Sequence, residues 1–156
     1  MKKNLLYFLF LMITATAFTQ KNFKPGYIIE SGGDTVFCNI DYRDWSENPK
    51  LIQVEKNGNI NEKGLNDITG FSITGFASYE KKLVTYHLNP TGGITIPTKF
   101  SDQTQTETVF LKVLEKGNFS LYELVMPIRF YFFIQDGTGE VKELIYRVRQ
   151  EDNVVT

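Results

Sequence analysis

TVFLKVLEKGNFSLYELVM, residues 108–126, is the stretch that decides the fold. Its apolar side chains Val109, Leu111 and Val113 recur at every second position, which is the period of a β-strand. Lys116-Gly117-Asn118 interrupts the pattern with turn residues, and an apolar-rich run, Phe119–Met126, follows. Two such runs joined by a short glycine-containing turn predict an antiparallel β-hairpin.

A second hairpin is predicted directly downstream. Arg129–Gln135 (RFYFFIQ) is followed by the turn residues DGTG at 136–139 and by a returning strand, Glu140–Arg147. Phe130–Ile134 is apolar at every position, which predicts a strand that is covered on both faces. An uncharged run of this kind aggregates when its edges are unpaired, so we expect it in the interior of the fold.

Upstream of these hairpins, β-branched and aromatic runs alternate with turn residues in the same way. Asn57-Gly58 is a strong signal for a two-residue hairpin turn. The predicted strands are Tyr27–Ser31, Thr35–Tyr42, Lys50–Lys56, Phe71–Phe76 and Leu83–Leu88. Together the runs predict an all-β fold, an antiparallel sandwich or open barrel of short strands joined by hairpins.

Three segments do not follow the strand pattern. Arg43–Pro49 (RDWSENP) reads as a polar loop, and Gly64–Ile68 reads either as one helical turn or as a loop. Asn89–Glu107 contains two prolines and two glycines, with room for one short strand around Ile94–Ile96. A stretch of this length with little regular structure is usually either functional or disordered, and the sequence leaves both alternatives open.

The N-terminus has the layout of a secretory signal peptide. Lys2 and Lys3 precede an uncharged run, Leu5–Ile13, and small residues follow up to Gln20. The run is too short for a membrane-spanning helix, which needs about 20 apolar residues. We therefore predict a signal-peptide helix in residues 1–20, cleaved near residues 17–20, and a single β-rich domain in residues 21–156. The mature domain is expected in the periplasm or outside the cell, in association with the outer membrane or free, without stable membrane insertion.

Charge and cysteine content restrict the function classes. The chain has a net charge of −1, and removing Lys2 and Lys3 with the signal peptide leaves −3. Nucleic-acid-binding proteins normally carry a basic excess or stripe, so this class is not expected. Cys38 is the one cysteine, which excludes an internal disulfide. It lies in an alternating apolar pattern, and we interpret it as a small buried side chain.

The sequence offers no catalytic, metal or cofactor motif. His87 is the one histidine, and no GxSxG motif supplies a nucleophile for it. No run of ligands has the spacing of a zinc or calcium site, and no glycine-rich phosphate loop is present. We therefore predict no catalytic residues, no bound metal and no cofactor, and we interpret His87 as structural or surface-exposed.

The candidate binding residues are Arg43, Asp44 and Trp45 in the polar loop. Trp45 is the one tryptophan. It has two interpretations, a stacking platform for a sugar or peptide and a plug that closes one end of the sandwich. Asp44 and its neighbouring carboxylates suit either acid–base chemistry or turn-closing contacts such as an ion pair with Arg43.

Short blocks of sequence resemble those of a known family. The blocks are KPGYII (24–29), GDT (33–35), IDYRDW (40–45), NP (48–49), DI (67–68), GF (70–71), VFLKVL (109–114), SLY (120–122) and LIY (144–146). Over most of residues 24–147 the chain resembles uncharacterised exported proteins of Bacteroidetes-type Gram-negative cell envelopes. In longer members this region resembles an N-terminal soluble β module, sometimes followed by an outer-membrane β-barrel. The resemblance implies an envelope location and a β fold, and no specific chemistry.

These observations predict an exported, non-catalytic cell-envelope module that acts by binding or assembly. The expected partner is an envelope protein or a glycan, contacted through the 43–49 loop, the 89–107 loop or an exposed sheet edge. One alternative is a hydrolase acting on envelope polysaccharide or peptide, which requires a cleft that gathers at least two of Asp41, Asp44, Glu47 and Asp102. The other alternative is a small outer-membrane β-barrel.

Overall fold

The computed structural model describes residues 21–88, 102–127, 129–137 and 139–145. The predicted signal peptide lies outside these residues. Within them the chain forms ten β-strands: β1 (Phe23–Glu30), β2 (Thr35–Asp41), β3 (Leu51–Lys56), β4 (Asn59–Gly64), β5 (Ile68–Ile73), β6 (Ala77–His87), β7 (Thr104–Glu115), β8 (Ser120–Met126), β9 (Arg129–Gln135) and β10 (Val141–Glu143). The described part contains no helix with the length and apolar character needed to span a bilayer.

All ten strands belong to one open antiparallel sheet, which confirms the predicted all-β antiparallel fold. The strand order is β10-β9-β8-β7-β6-β5-β1-β2-β3-β4. Neighbours in the sheet are neighbours in the chain, except where β1 pairs with β5 as well as with β2. Both predicted hairpins of the last third form, as β7–β8 and β9–β10, and β8 also pairs with β9 from Ser120↔Gln135 to Met126↔Arg129. Strand β10 is shorter than the predicted Glu140–Arg147, of which residues 146 and 147 lie outside the described residues.

The sheet buries opposite faces in its two halves. Tyr79 of β6 and Phe110 of β7 belong to a first core, whereas Val84 of β6 and Leu111 of β7 belong to a second core. Because successive strand residues point to opposite faces, the two cores lie on opposite faces of the sheet, and both include residues of β6 and β7. The first core contains Ile28, Ile40, Ile52, Val54, Ile68, Phe71, Ile73, Tyr79 and Phe110, and the second contains Val84, Tyr86, Leu111, Tyr122, Leu124, Tyr131 and Phe133.

Two local features depend on glycine or asparagine. The β3–β4 hairpin turns at Asn57 and Gly58, whose φ angles are 54° and 78°, as the predicted two-residue turn requires. At Gly26, a Cβ atom would lie 2.2 Å from the carbonyl oxygen of Ser72, so only glycine permits the close approach of β1 to β5.

Several predicted strand boundaries were wrong. Strand β1 begins at Phe23 rather than at Tyr27, and β4 was not predicted because NINEKG contains one strongly apolar residue, Ile60. Strand β4 forms because the Asn57-Gly58 turn returns the chain alongside β3. The predicted 89–107 loop is too long, since β7 begins at Thr104. The rest of that prediction, from residue 89 to residue 101, lies outside the described residues.

The prediction that β9 is covered on both faces was also wrong. Tyr131 and Phe133 are buried in the second core, but Phe130 and Phe132 are 66% and 40% exposed. The second core lies on one side of β9 only, so alternate side chains point outward. Both edges of β9 are nevertheless paired, with β8 and with β10, which removes the unpaired edges that promote aggregation.

Candidate binding groove between β7 and β8

A groove opens where β7 and β8 separate. Strand β7 pairs with β6 along Thr104–Lys112, but it pairs with β8 only from Lys112↔Glu123 to Glu115↔Leu121. Toward the N-terminal end of β7 the two strands diverge, and the β2–β3 loop enters the gap between them. The divergence therefore leaves a stretch of strand edge beside a surface depression.

Asn48 bridges the two diverging strands. Its side-chain nitrogen Nδ2 donates hydrogen bonds to the carbonyl oxygens of Phe110 (2.7 Å) and Glu123 (2.9 Å). The backbone N–H of Val125 donates to Asn48 Oδ1 at 2.9 Å, and the backbone N–H of Asn48 donates to the Val125 carbonyl at 3.1 Å. One residue of the loop thus supplies the hydrogen bonds that the β7–β8 ladder lacks at this point.

The groove has the size of a ligand-binding cleft. Its volume is about 470 Å³, and apolar side chains form most of its surface. The residues that line it come from the β2–β3 loop (Glu47, Asn48, Pro49, Lys50), from the turn after β4 (Leu65), from β7 (Glu107, Thr108, Val109, Phe110) and from β8 and its end (Leu124, Val125, Met126, Pro127).

The polar groups of the groove are few. The Tyr86 hydroxyl donates a hydrogen bond of 2.5 Å to Glu107 Oε1. Burial and this carboxylate both raise the pKa of Tyr86, so the phenol stays protonated and holds Glu107 in place. Glu47 and Lys50 are exposed at the loop side of the groove. In a mostly apolar cleft, a small number of polar groups serves to orient a bound molecule rather than to neutralise a charge on it.

Arg43 and Asp44 make contacts within the loop. Arg43 forms an ion pair with Asp41, with an Nη2–Oδ2 distance of 2.8 Å, and Asp41 is buried. The second oxygen of Asp41 accepts a hydrogen bond from the backbone N–H of Asn22. Asp44 has a φ of 48° and accepts a hydrogen bond from the Tyr42 hydroxyl. These are the turn-closing contacts that the sequence offered as one interpretation.

Trp45 packs against the first core. Its ring makes edge-on contacts with Tyr42, Phe71 and Tyr79 at centroid distances of 5.5, 6.1 and 5.9 Å. Burial in this cluster raises the pKa of Tyr79 to about 12. The position agrees with a plug that covers one end of the core. A role of Arg43, Asp44 and Trp45 in binding stays a prediction.

Sequence reasoning missed Asn48. The residue has no distinctive signal, since an asparagine before a proline in a polar loop usually marks a turn. Its partners Phe110, Glu123 and Val125 lie 62 to 77 positions away in the chain.

The hydrolase alternative required a cleft that gathers at least two of four carboxylates. Of Asp41, Asp44, Glu47 and Asp102, only Glu47 lines the groove in the part of the chain that the structure describes.

Cys38 and His87 have structural neighbours. Cys38 is half-buried against the first core, and burial raises the pKa of its thiol although Lys56 acts in the opposite direction. His87 Nδ1 lies 2.8 Å from Glu143 Oε2, and this contact joins β6 to β10. Among the described residues, no group of three or more histidine, cysteine, aspartate or glutamate side chains is placed to hold a metal ion.

A second polar cluster surrounds Glu80, at the end of the second core. The buried Tyr122 donates its hydroxyl to Glu80 Oε2 at 2.9 Å, and Lys82 Nζ lies 3.2 Å from the same oxygen. Lys116 pairs with the other carboxylate oxygen. Partial burial opposes ionisation of Glu80, but the hydrogen bonds from Lys116, Tyr122 and Lys82 outweigh it and lower the pKa of this carboxyl.

This cluster predicts a component of acid sensitivity. Because the folded-state pKa of Glu80 is lowered, its contribution to stability is present above the ordinary glutamate pKa and is lost as the pH falls through the lowered value. We expect the Glu80→Gln variant to lose less unfolding free energy than the wild type between about pH 6 and about pH 3. Urea unfolding across this range measures the difference. Parallel pH profiles for the two proteins would contradict the prediction.

Comparison of the chain with models of protein families, with curated proteins and with solved structures finds no match.

Proposed function

We propose that this protein is an exported, non-catalytic module of the cell envelope that binds a partner in the groove between β7 and β8. The observation that carries the proposal is the groove itself, an apolar cleft of about 470 Å³ beside a strand edge. Binding sites are usually concave and largely apolar with a few polar groups, which describes this cleft. The expected partner is an envelope protein or a glycan.

The sequence supports the envelope location. The layout of residues 1–20 is that of a signal peptide, which directs a chain out of the cytoplasm. The resemblance to exported proteins of Bacteroidetes-type envelopes supports the same compartment, the periplasm or the outer surface. The acidic balance of the mature domain argues against nucleic acid as the partner.

The position of the β2–β3 loop supports a role in binding. Arg43, Asp44 and Trp45 lie in the same loop as Asn48, and the end of this loop forms one wall of the groove. The Asp41–Arg43 ion pair and the aromatic contacts of Trp45 hold the loop in a defined conformation. A wall that is already ordered lowers the entropy cost of binding.

Capture from envelope extract tests the proposal. We expect the tagged mature protein to retain a component that a Thr108→Trp variant, in which the groove is filled, does not retain. Phe37→Ala is the matched control because Phe37 is exposed and lies away from the groove. Equal retention by the wild type and Thr108→Trp, with both proteins folded, would contradict binding in the groove.

One observation favours the hydrolase alternative. Glu47 and Glu107 both line the groove, and a pair of carboxylates can act as general acid and base. Glu107 is engaged by Tyr86, which makes it less free to transfer a proton. Release of reducing ends or peptides from purified cell-wall polymer, abolished by Glu47→Gln and by Glu107→Gln, would establish the enzyme and displace the proposal above.

A further inference from the structure

We infer that the groove takes up an extended segment of a partner polypeptide, which adds to the free edge of β7 as a further strand. This inference rests on the proposed function and names the class of its partner. Strand addition uses the backbone hydrogen bonds of an open edge for affinity and pockets beside it for specificity. The free edge is that of the N-terminal half of β7, Thr104–Val109.

The direction of the backbone groups in β7 follows from its hydrogen bonds. The Phe110 carbonyl points toward the β8 side, because it accepts from Asn48 there. Backbone groups of successive strand residues point alternately to the two sides, so those of Thr106 and Thr108 also point away from β6. Strand β8 pairs with β7 only from Lys112 onward. In the described part of the chain, the edge formed by Thr106 and Thr108 therefore has no strand partner.

Asn48 shows that the gap accepts a peptide-like group. Its side-chain amide has the same donor and acceptor as a peptide bond, and it donates to β7 and β8 and accepts from β8 at ordinary hydrogen-bond distances. It occupies one end of the gap, next to Phe110. A partner strand that continues from this point along Thr108 and Thr106 would extend a pattern of amide contacts that the protein already makes with its own loop.

The two strands at the ends of the sheet are less suited to this role. Strand β4 is the edge of the sheet and carries Glu62 and Lys63, and charged side chains discourage pairing with another chain. Strand β10 is three residues long and contacts β6 through Glu143. The free half of β7, TQTETV, carries one charge, that of Glu107, which is engaged by Tyr86. Its edge is therefore the least protected of the three.

The surroundings define the expected chemistry of the segment. Side chains of an added strand alternate between two faces. Those on one face meet Leu124 and Met126, which lie on the second-core side of the groove. We therefore expect a segment with apolar residues at alternate positions and no proline at the positions that face Thr106 and Thr108.

A pair of variants at one position tests the backbone contact. Thr108→Pro removes the backbone N–H from the free edge, where no bond to β6 is lost, whereas Thr108→Ala removes only the side chain. The probe is a phage-displayed library of random peptides selected on the wild-type mature protein. We expect the selected peptides to bind Thr108→Ala like the wild type and Thr108→Pro about tenfold more weakly.

A second measurement makes the test independent of whether Thr108→Pro folds. We expect a selected peptide to lose binding when the backbone nitrogens that face β7 are methylated. The same peptide should keep its binding when the alternate nitrogens, which face away from β7, are methylated instead. Failure to select peptides, or equal binding of both methylated forms, would overturn strand addition. In that case the capture experiment with Thr108→Trp still decides whether the groove binds another kind of molecule, so failure of this inference is distinguishable from failure of the proposed function.

Discussion

Replacing Asn48 with alanine is expected to lower the free energy of unfolding by about 3 kcal/mol. The change removes three side-chain hydrogen bonds, two donated to the Phe110 and Glu123 carbonyls and one accepted from the Val125 N–H. These backbone groups are partly buried, and losing a partner costs more than the net value of the bond. Urea unfolding of the variant and of the wild type measures the difference.

Two further variants make this prediction specific. Asn48→Asp keeps the acceptor but cannot donate while ionised, and it places a carboxylate beside two carbonyl oxygens. The pKa of that carboxyl is then raised in the folded state, so its destabilising effect is largest near about pH 7 and declines as the pH falls. Ser46→Ala, at an exposed position in the same loop, is the control and should leave stability unchanged. Equal losses for Ser46→Ala and Asn48→Ala would contradict the bridging role.

Replacing Trp45 with alanine is also expected to cost about 3 kcal/mol of unfolding free energy. The side chain packs against the first core, and its removal deletes edge-on contacts with Tyr42, Phe71 and Tyr79. Trp45→Phe should recover part of the loss because it retains an aromatic ring in the same place. We expect the melting temperature to fall from the wild type to Trp45→Phe and further to Trp45→Ala, and thermal unfolding followed by circular dichroism measures it.

This experiment also separates the two interpretations of Trp45. A plug predicts that melting temperature falls in Trp45→Ala while the folded fraction still binds in the groove. A stacking platform predicts an unchanged melting temperature and reduced retention of the envelope partner. The second result would show that the contacts with Tyr42, Phe71 and Tyr79 contribute little to stability, and it would move the binding surface to the loop.

The strands were predictable where the local pattern was unambiguous. Thr35–Asp41 and Arg129–Gln135 match the prediction within one residue, because apolar side chains and flanking turn residues mark both ends. Strand β4 was missed because its residues are polar and its partner is the preceding strand, not the core. The start of β7 was missed because TQTE has no apolar alternation, and β6 determines its conformation.

The groove was not predictable from the same information. The sequence indicated that the 43–49 loop was unusual, but it did not indicate where the loop would lie. Asn48 reaches β7 and β8 because the tertiary fold brings the β2–β3 loop against strands that lie 62 to 77 positions further along the chain. The outward position of Phe130 was hidden for a similar reason, since an entirely apolar strand does not show which of its faces will be covered.

The order of apolar runs and turn residues determined the strand content and the hairpins, because each depends on neighbours within a few residues. The linear sequence also determined the expected export, because a signal peptide is recognised from the order of its charged, apolar and small residues. Only the tertiary structure decided which face of each strand is buried, where β7 and β8 separate and which loop residue bridges them. These features depend on contacts between different strands and loops, more than 60 positions apart in the case of Asn48, and no local pattern specifies the packing and hydrogen bonds involved.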